Sequence, residues 1–155
     1  MAFTNAGGSG VPTLMLLNCD VSTNTGAGVL MGNALDPYAQ FNNSIFDANG
    51  TYGVDAGSGT VTISALLNSN AFFNNTTAPT RNINAGVGTI TLTANPYTTI
   101  GTNFALNNTT GGGKLLKGAG FPGTIPNGGT GAVDVGALQT AGSAGGGQVG
   151  FGIIQ

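Results

Sequence analysis

The sequence has very little charge and contains no histidine, tryptophan or glutamate. Its basic residues are Arg81, Lys114 and Lys117, its acids are five aspartates, and 5% of the chain is charged, against about 25% in an average soluble domain. Nucleic-acid binding requires several cations to neutralise phosphates, so we expect no nucleic-acid partner. The single cysteine, Cys19, excludes an intrachain disulfide. With no histidine to activate it, we interpret Cys19 as a small buried side chain.

Long hydrophobic runs are also missing. The apolar stretch Pro12–Leu17 is far shorter than the roughly 18 to 20 residues that cross a bilayer. No basic residue precedes it, so it does not have the form of a signal peptide. We therefore expect no membrane insertion, and a location in a virion or on an extracellular surface.

What the sequence has instead is glycine, asparagine, threonine and short apolar runs. Glycine accounts for 29 residues, and 40% of the chain is hydrophobic. No segment has apolar residues at the i, i+3, i+4, i+7 spacing of an amphipathic helix, whereas short alternating segments recur every 8 to 12 residues or so. This pattern predicts an all-β fold.

Three segments resemble one another and indicate a repeat. They are Leu17–Asn24, Phe41–Asn49 and Leu67–Asn75, and their first residues are separated by 24 positions (17 to 41) and 26 positions (41 to 67). A period of this length is typical of a solenoid, in which equivalent residues of successive coils stack. We expect two apolar columns in the core and an asparagine ladder beside them. The columns are Leu17, Phe41 and Leu67, and Val21, Ile45 and Ala71; the ladder is Asn18, Asn42 and Asn68.

The composition divides the chain into four parts. We predict an N-terminal arm at residues 1–12, a β-helix domain at 13–139, a glycine-rich linker at 140–147 and an apolar strand at 148–155. Within the domain, Thr76–Asn84 contains a proline and is predicted to be a loop.

The aspartates do not predict an active site. Hydrolysis of a glycosidic bond requires two facing carboxyl groups, but Asp20 and Asp47 stand three and six positions after Leu17 and Phe41, which are not equivalent positions. We interpret the aspartates as turn caps. The sequence thus predicts no catalytic residue, no metal site and no cofactor.

Three stretches near the C-terminus follow one another in a recognisable order. Thr102–Thr109 comes first, Leu115–Gly123 follows, and Val133–Gln139 has the sequence Val-Asp-Val-Gly-Ala-Leu-Gln. This order resembles the C-terminal end of right-handed parallel β-helix repeat proteins of bacteria and phages, whose last coil ends in Asp-Ile-Gly-Ala-aliphatic-Gln. Val135 replaces the usual isoleucine. The resemblance implies a short right-handed parallel β-helix of about four to five coils, with Asp134 in its terminal turn. It implies no single activity, because surface proteins, adhesins, phage fibres and polysaccharide-degrading enzymes share this fold.

The apolar residues of the C-terminal strand predict an assembly interface. This interface would consist of Val149, Phe151, Ile153 and Ile154. The strand would either fold back as a cap on its own domain or add to a neighbouring subunit by β-augmentation.

These observations favour a non-enzymatic structural or assembly protein, such as a fibre or decoration subunit of a phage virion. Its partners would be copies of itself, preferably in a trimer, or a capsid, tail or other particle protein. One alternative is a carbohydrate-binding or carbohydrate-cleaving tailspike-like module that binds surface glycans, in which Tyr38, Tyr52 or Tyr97 would stack on sugars. Another alternative is a fragment of a bacterial surface adhesin.

Overall fold

The computed structural model describes residues 13–31, 38–57, 64–120 and 133–138. Within these ranges the chain is all-β, apart from one 3-10 turn at Gly113–Leu115, so the all-β part of the predicted fold is confirmed. No helix in these ranges has the length and hydrophobicity needed to cross a bilayer. The predicted arm, linker and C-terminal strand lie outside the described residues.

Twelve short strands form three parallel sheets and one antiparallel hairpin. In chain order they are β1 (Thr13–Leu17), β2 (Asp20–Ser22), β3 (Val29–Leu30), β4 (Tyr38–Asn42), β5 (Ile45–Asp47), β6 (Tyr52–Asp55), β7 (Ser64–Asn68), β8 (Ala71–Phe73), β9 (Ala78–Arg81), β10 (Ile90–Thr91), β11 (Tyr97–Thr99) and β12 (Asn103–Leu106). The first sheet has the order β1-β4-β7, the second β2-β5-β8-β10 and the third β3-β6-β9, while β11 and β12 form the hairpin.

Three successive segments of the chain contribute one strand each to all three sheets. Between the first two segments, paired residues are 25 positions apart, as in Thr13 and Tyr38. Between the second and third segments they are 26 apart, as in Tyr38 and Ser64. We expected four to five such segments. The described residues contain three, and β10 adds a further strand to the second sheet only.

The corners between sheets repeat with the strands. The residue that follows β1, β4 and β7 has a positive φ, at Asn18, Asn43 and Ser69, and so does the residue that follows β2, β5 and β8, at Thr23, Ala48 and Asn74. One residue in the left-handed conformation is enough to turn the chain from one sheet into the next. Asparagine adopts this conformation more readily than most residues.

All three sheets contribute to one apolar core. Phe41 and Leu67 enter it from the first sheet, Phe46 and Phe72 from the second, and Val54 from the third. The Phe46 and Phe72 rings stack with centroids 5.3 Å apart. Because the aromatic side chains repeat at the same position of neighbouring strands, they stack along the core.

The predicted alignment of the first segment is wrong by one residue. Leu16, and not Leu17, pairs with Phe41, which in turn pairs with Leu67 as predicted. Leu17 is 50% exposed. In the second column, Val21 pairs with Phe46 and not with Ile45, whereas Ile45 and Ala71 are paired as predicted.

The hydrogen-bonded amide ladder also differs from the predicted one. Asn42 and Asn68 are aligned, but Asn42 pairs with Leu17 and not with Asn18. The amides that bond to one another are those of Asn24, Asn49 and Asn75. The Asn24 Nδ2 donates to Asn49 Oδ1 at 2.9 Å, and the Asn49 Nδ2 donates to Asn75 Oδ1 at 2.8 Å.

Candidate functional site

The outer face of the second sheet is covered by the end of the described chain. We call residues 95–120 and 133–138 the C-terminal cover. Ile45 and Ala71, which alternate with the core residues of their strands, pack against Tyr97, Leu116 and Val135 of the cover. A second apolar core therefore lies outside the first one.

Backbone hydrogen bonds and a close glycine contact hold the cover in place. The Val135 N–H donates to the Leu116 carbonyl at 3.0 Å, and the Gly136 N–H donates to the Asn43 carbonyl at 2.7 Å. A Cβ at Gly136 would lie 2.7 Å from Ile45 Cδ1 and 2.8 Å from Asp20 Oδ1, and its φ is +112°. Only glycine therefore allows this approach without strain.

The predicted terminal motif lies in this contact. The Gly118 N–H donates to Asp134 Oδ1 at 2.6 Å, and Val135 is fully buried. The motif therefore joins the two parts of the cover and docks them beside the corner at Asn43.

Four oxygen-bearing side chains meet beneath the cover. We call them the oxygen cluster: Asp20 and Ser22 of β2, Asp47 of β5 and Tyr97 of β11. Ser22 pairs with Asp47 in the sheet, so their side chains leave the same face of neighbouring strands. Asp47 is 0% exposed and Tyr97 is 1% exposed.

Burial shifts the pKa of every acid in the oxygen cluster. It raises the pKa of Asp20 to about 7, an effect to which the charge of Asp47 adds, while weak hydrogen bonds from the Ala137 backbone and the Tyr97 hydroxyl oppose it. Burial raises the pKa of Asp47 to about 6, against the opposing effect of weak hydrogen bonds from Ser22 and Tyr97. The pKa of the Tyr97 hydroxyl is raised by burial and by the two carboxylates. Desolvation thus disfavours charge at a place where two carboxylates meet.

Two of the basic side chains, Arg81 and Lys117, bind residues outside the oxygen cluster. Arg81 forms a bidentate ion pair with Asp55 of β6 at 2.7 and 2.8 Å, the one salt bridge found within the described ranges. Lys117 donates to the Asn108 side chain at 2.7 Å. No ion pair among the described residues therefore neutralises Asp20 or Asp47.

The sequence interpretation missed the oxygen cluster because of the alignment error. When Leu16, and not Leu17, is aligned with Phe41, Asp20 is aligned with Ile45, two residues before Asp47. The side chains of Asp20 and Asp47 therefore project from the same face of the second sheet. A shift of one residue reverses the face of every side chain in a strand. The described residues contain no group of three or more His, Cys, Asp or Glu side chains that could hold a metal, since two members of the cluster carry hydroxyl groups instead.

Cys19 is adjacent to Asp20 in sequence, but its side chain forms its hydrogen bond outside the oxygen cluster. Its Sγ donates to the Leu17 carbonyl at 3.3 Å. Burial raises the pKa of its thiol, which favours the unreactive protonated form.

The outer face of the first sheet differs from that of the second. Met15, Leu17, Tyr38 and Leu66 are between 50% and 59% exposed there. The three strands of this sheet have the sequences TLMLL, YAQFN and SALLN, without a charged residue. A shallow groove runs along this surface beside Tyr38 and Gln40. We call this outward surface the bare face.

The residues predicted as an assembly interface lie outside the described residues. These are Val149, Phe151, Ile153 and Ile154. Their contacts stay a prediction.

Comparison of the chain with protein-family models, with curated proteins and with solved structures gave no match.

Proposed function

We propose that the chain is a short right-handed parallel β-helix that serves as a non-enzymatic structural subunit and assembles with copies of itself. The register supports the fold, because three successive segments enter all three sheets at offsets of 25 and 26 residues. The right hand is the one that nearly all parallel crossover connections adopt.

The bare face is the observation that carries the assembly proposal. Large exposed apolar patches are uncommon on monomeric proteins and are typical of interaction surfaces. Here the four exposed side chains belong to one sheet whose strands carry no charge. An uncharged surface opposes neither self-association nor contact with the apolar residues of the predicted C-terminal strand.

A fibre or decoration subunit of a phage virion, in a homotrimer, is the form of assembly that we propose. The resemblance of Val133–Gln139 to the terminal motif of bacterial and phage β-helix proteins supports this form. A capsid or tail protein would then be a further partner.

Light scattering of the full chain and of a chain stopped at Gln139 tests the proposal. We expect the full chain to have three times the 15.1 kDa mass of one chain, and the shortened chain to be a monomer. If both are well-folded monomers, self-assembly is refuted.

A pair of leucine variants tests the bare face itself. Leu66 is 59% exposed on the bare face, and Leu115 is 46% exposed on the cover. Leu66→Lys places a charge in the proposed interface and should lower the mass of the assembly, whereas Leu115→Lys should not. Equal masses for both variants would show that the bare face is not the interface.

Carbohydrate binding is a second candidate, favoured by one feature of the bare face. Tyr38 is 58% exposed and borders the groove together with Gln40. An exposed ring beside an amide can stack on a sugar and bind its hydroxyl groups. Binding to a glycan array that Tyr38→Ala abolishes would favour this function over a purely structural one.

A further inference from the structure

The oxygen cluster leaves buried oxygen atoms without hydrogen-bond partners. Six such atoms belong to it: both carboxylate oxygens of Asp20, both of Asp47, the Ser22 Oγ and the Tyr97 hydroxyl. Buried polar groups in folded proteins nearly always have a partner. The Ala137 backbone, Ser22 and Tyr97 reach these carboxylates only as weak donors. Six oxygens without a partner of normal geometry in one place therefore indicate that a ligand belongs between them.

Tyr97 provides evidence that is independent of the two acids. It comes from β11 of the cover and not from the sheet that carries Asp20 and Asp47. Its side chain is 1% exposed, and its hydroxyl is close enough to influence the pKa of both carboxylates. The hydroxyl faces both carboxylates as a weak hydrogen-bond donor that lowers their pKa, but it forms no hydrogen bond of normal length and angle. Oxygens that surround a calcium ion at 2.3 to 2.6 Å are themselves about 3.3 to 3.7 Å apart, too far for a normal hydrogen bond.

The charge of the cluster specifies a divalent ion. Two ionised carboxylates carry two negative charges, and the described residues provide no ion pair for either of them. Buried charges in proteins are paired or coordinate a metal. One divalent cation would balance Asp20 and Asp47.

The donor atoms specify a hard ion with flexible coordination. All six are oxygens, and calcium takes six to eight oxygen ligands, whereas magnesium usually keeps several waters. Zinc and copper prefer nitrogen or sulfur, and the chain has no histidine. A buried cluster of carboxylates and hydroxyls therefore fits calcium best.

We propose that the oxygen cluster binds one calcium ion, or an ion of the same hard divalent class, and that this ion fastens the C-terminal cover to the second sheet. The ion would join β2, β5 and β11. This site is independent of the proposed assembly through the bare face, because it lies on a different sheet.

Terbium luminescence tests the position of the site. Terbium(III) replaces calcium in oxygen sites and emits when an excited tyrosine beside it transfers energy to it. The chain contains no tryptophan and three tyrosines. The full-length protein should therefore give tyrosine-sensitised terbium emission, which added calcium should quench.

Matched tyrosine variants identify the tyrosine responsible. Tyr97→Phe keeps the ring that packs edge-on against Phe104 but removes the hydroxyl ligand. This variant should bind terbium at least tenfold more weakly and should lose most of the sensitised emission. Tyr52 lies beneath Arg81, away from the cluster, so Tyr52→Phe should leave the terbium affinity and the emission unchanged. Emission that Tyr52→Phe and Tyr97→Phe reduce equally would overturn the proposal.

A thermal measurement on the same chain tests the fastening. After treatment with a chelator, calcium at a hundredfold excess over its dissociation constant should raise Tm by about 5 to 10 °C at pH 7.5. Asp47→Asn should abolish this shift. If that variant does not fold, Ser22→Ala, which keeps both acids, should at least halve it.

A Tm that calcium does not change would contradict the proposal. An unchanged Tm at millimolar calcium, with stabilisation only on acidification, would mean that the cluster takes up protons and not a metal. That result would overturn the calcium proposal and would leave the proposed assembly untouched.

Discussion

The first and second sheets have the same parallel pairing but opposite outer faces. On the second sheet, Ile45 is fully buried beneath Leu116 and Val135 of the C-terminal cover. On the first sheet, Met15 and Leu66 remain more than half exposed. Burial of one large apolar side chain contributes about 1.5 to 3 kcal/mol. The second sheet thus gains this free energy within one chain, whereas the exposed side chains of the first sheet do not.

The two faces also differ in their electrostatics. The bare face has amides and hydroxyls beside its apolar residues and no charged group. The covered face contains Asp20 and Asp47 under an apolar layer. The covered face therefore carries carboxyl groups whose charge changes with pH, whereas the strands of the bare face carry no charged residue.

The largest expected effect comes from loosening the cover. Leu116 is 0% exposed, so Leu116→Ala removes a buried side chain and should lower the free energy of unfolding by about 2 to 5 kcal/mol. Its neighbour Leu115 is 46% exposed, and Leu115→Ala should change it by less than about 0.5 kcal/mol. Urea unfolding measures both. Similar costs for the two variants would mean that the cover does not pack as described.

The pH dependence of stability is the next largest effect, in the presence of a chelator. The pKa values of Asp20 and Asp47 are raised from 3.8 to about 7 and about 6, so the folded state holds protons that the unfolded state has released. This contribution is complete below pH 4 and is lost as pH rises through about 6 to 7, and the loss amounts to several kcal/mol because two groups contribute to it. Urea midpoints between pH 4 and 8 measure it.

Asp47→Asn is the variant that checks this dependence. It removes one titrating group from the cluster and should flatten the decline between pH 4 and 7. A midpoint that rises steadily with pH in the wild-type chain would contradict the raised pKa values.

A side chain at Gly136 should lower the free energy of unfolding by a smaller amount. Gly136→Ala introduces a Cβ against Ile45 and Asp20 at a positive φ and should cost about 1 to 3 kcal/mol. Gly26 has no heavy atom within 4 Å of a Cβ, so Gly26→Ala should be nearly neutral. Amide hydrogen exchange at Val135 measures the local opening. Unchanged protection in Gly136→Ala would show that the motif is docked less tightly than its contacts indicate.

The sequence predicted the all-β class and the approximate repeat, but not the register of the first segment. Leu16 and Leu17 are identical residues in neighbouring positions, and both suit a strand. Asn18 has a positive φ of 50° and turns the chain immediately after them, so the alternation of the strand does not continue from Leu17 to Val21. Local patterns do not show on which residue such a corner falls.

Thr76–Asn84 shows a different limit of sequence interpretation. It was predicted to be a loop because it contains Pro79, but it includes the strand β9. Proline lacks a backbone donor and is tolerated in an edge strand. In the described chain β9 is the last strand of the third sheet, so Pro79 lies in an edge strand, where a proline is compatible with β structure.

The oxygen cluster could be predicted only in part. Correct alignment alone would have placed Asp20 and Asp47 on one face of the second sheet. Tyr97 could not have been added, because it comes from a hairpin that leaves the parallel pattern and returns over that face. Contacts between a repeat and a non-repeating segment carry no period in the sequence.

The smallest expected effect on stability distinguishes the two interpretations of the C-terminal strand. Leu66 and Leu67 are neighbours on β7, 59% and 3% exposed. Leu67→Ala should cost about 2 to 5 kcal/mol, whereas Leu66→Ala should cost less than about 0.5 kcal/mol in a dilute, monomeric sample. If a second copy packs on the bare face, the cost of Leu66→Ala should grow with protein concentration, because association stabilises the folded state by mass action. A cost of 2 kcal/mol or more that does not depend on concentration would mean that the chain's own C-terminal residues cap this face, and urea unfolding at two protein concentrations separates these outcomes.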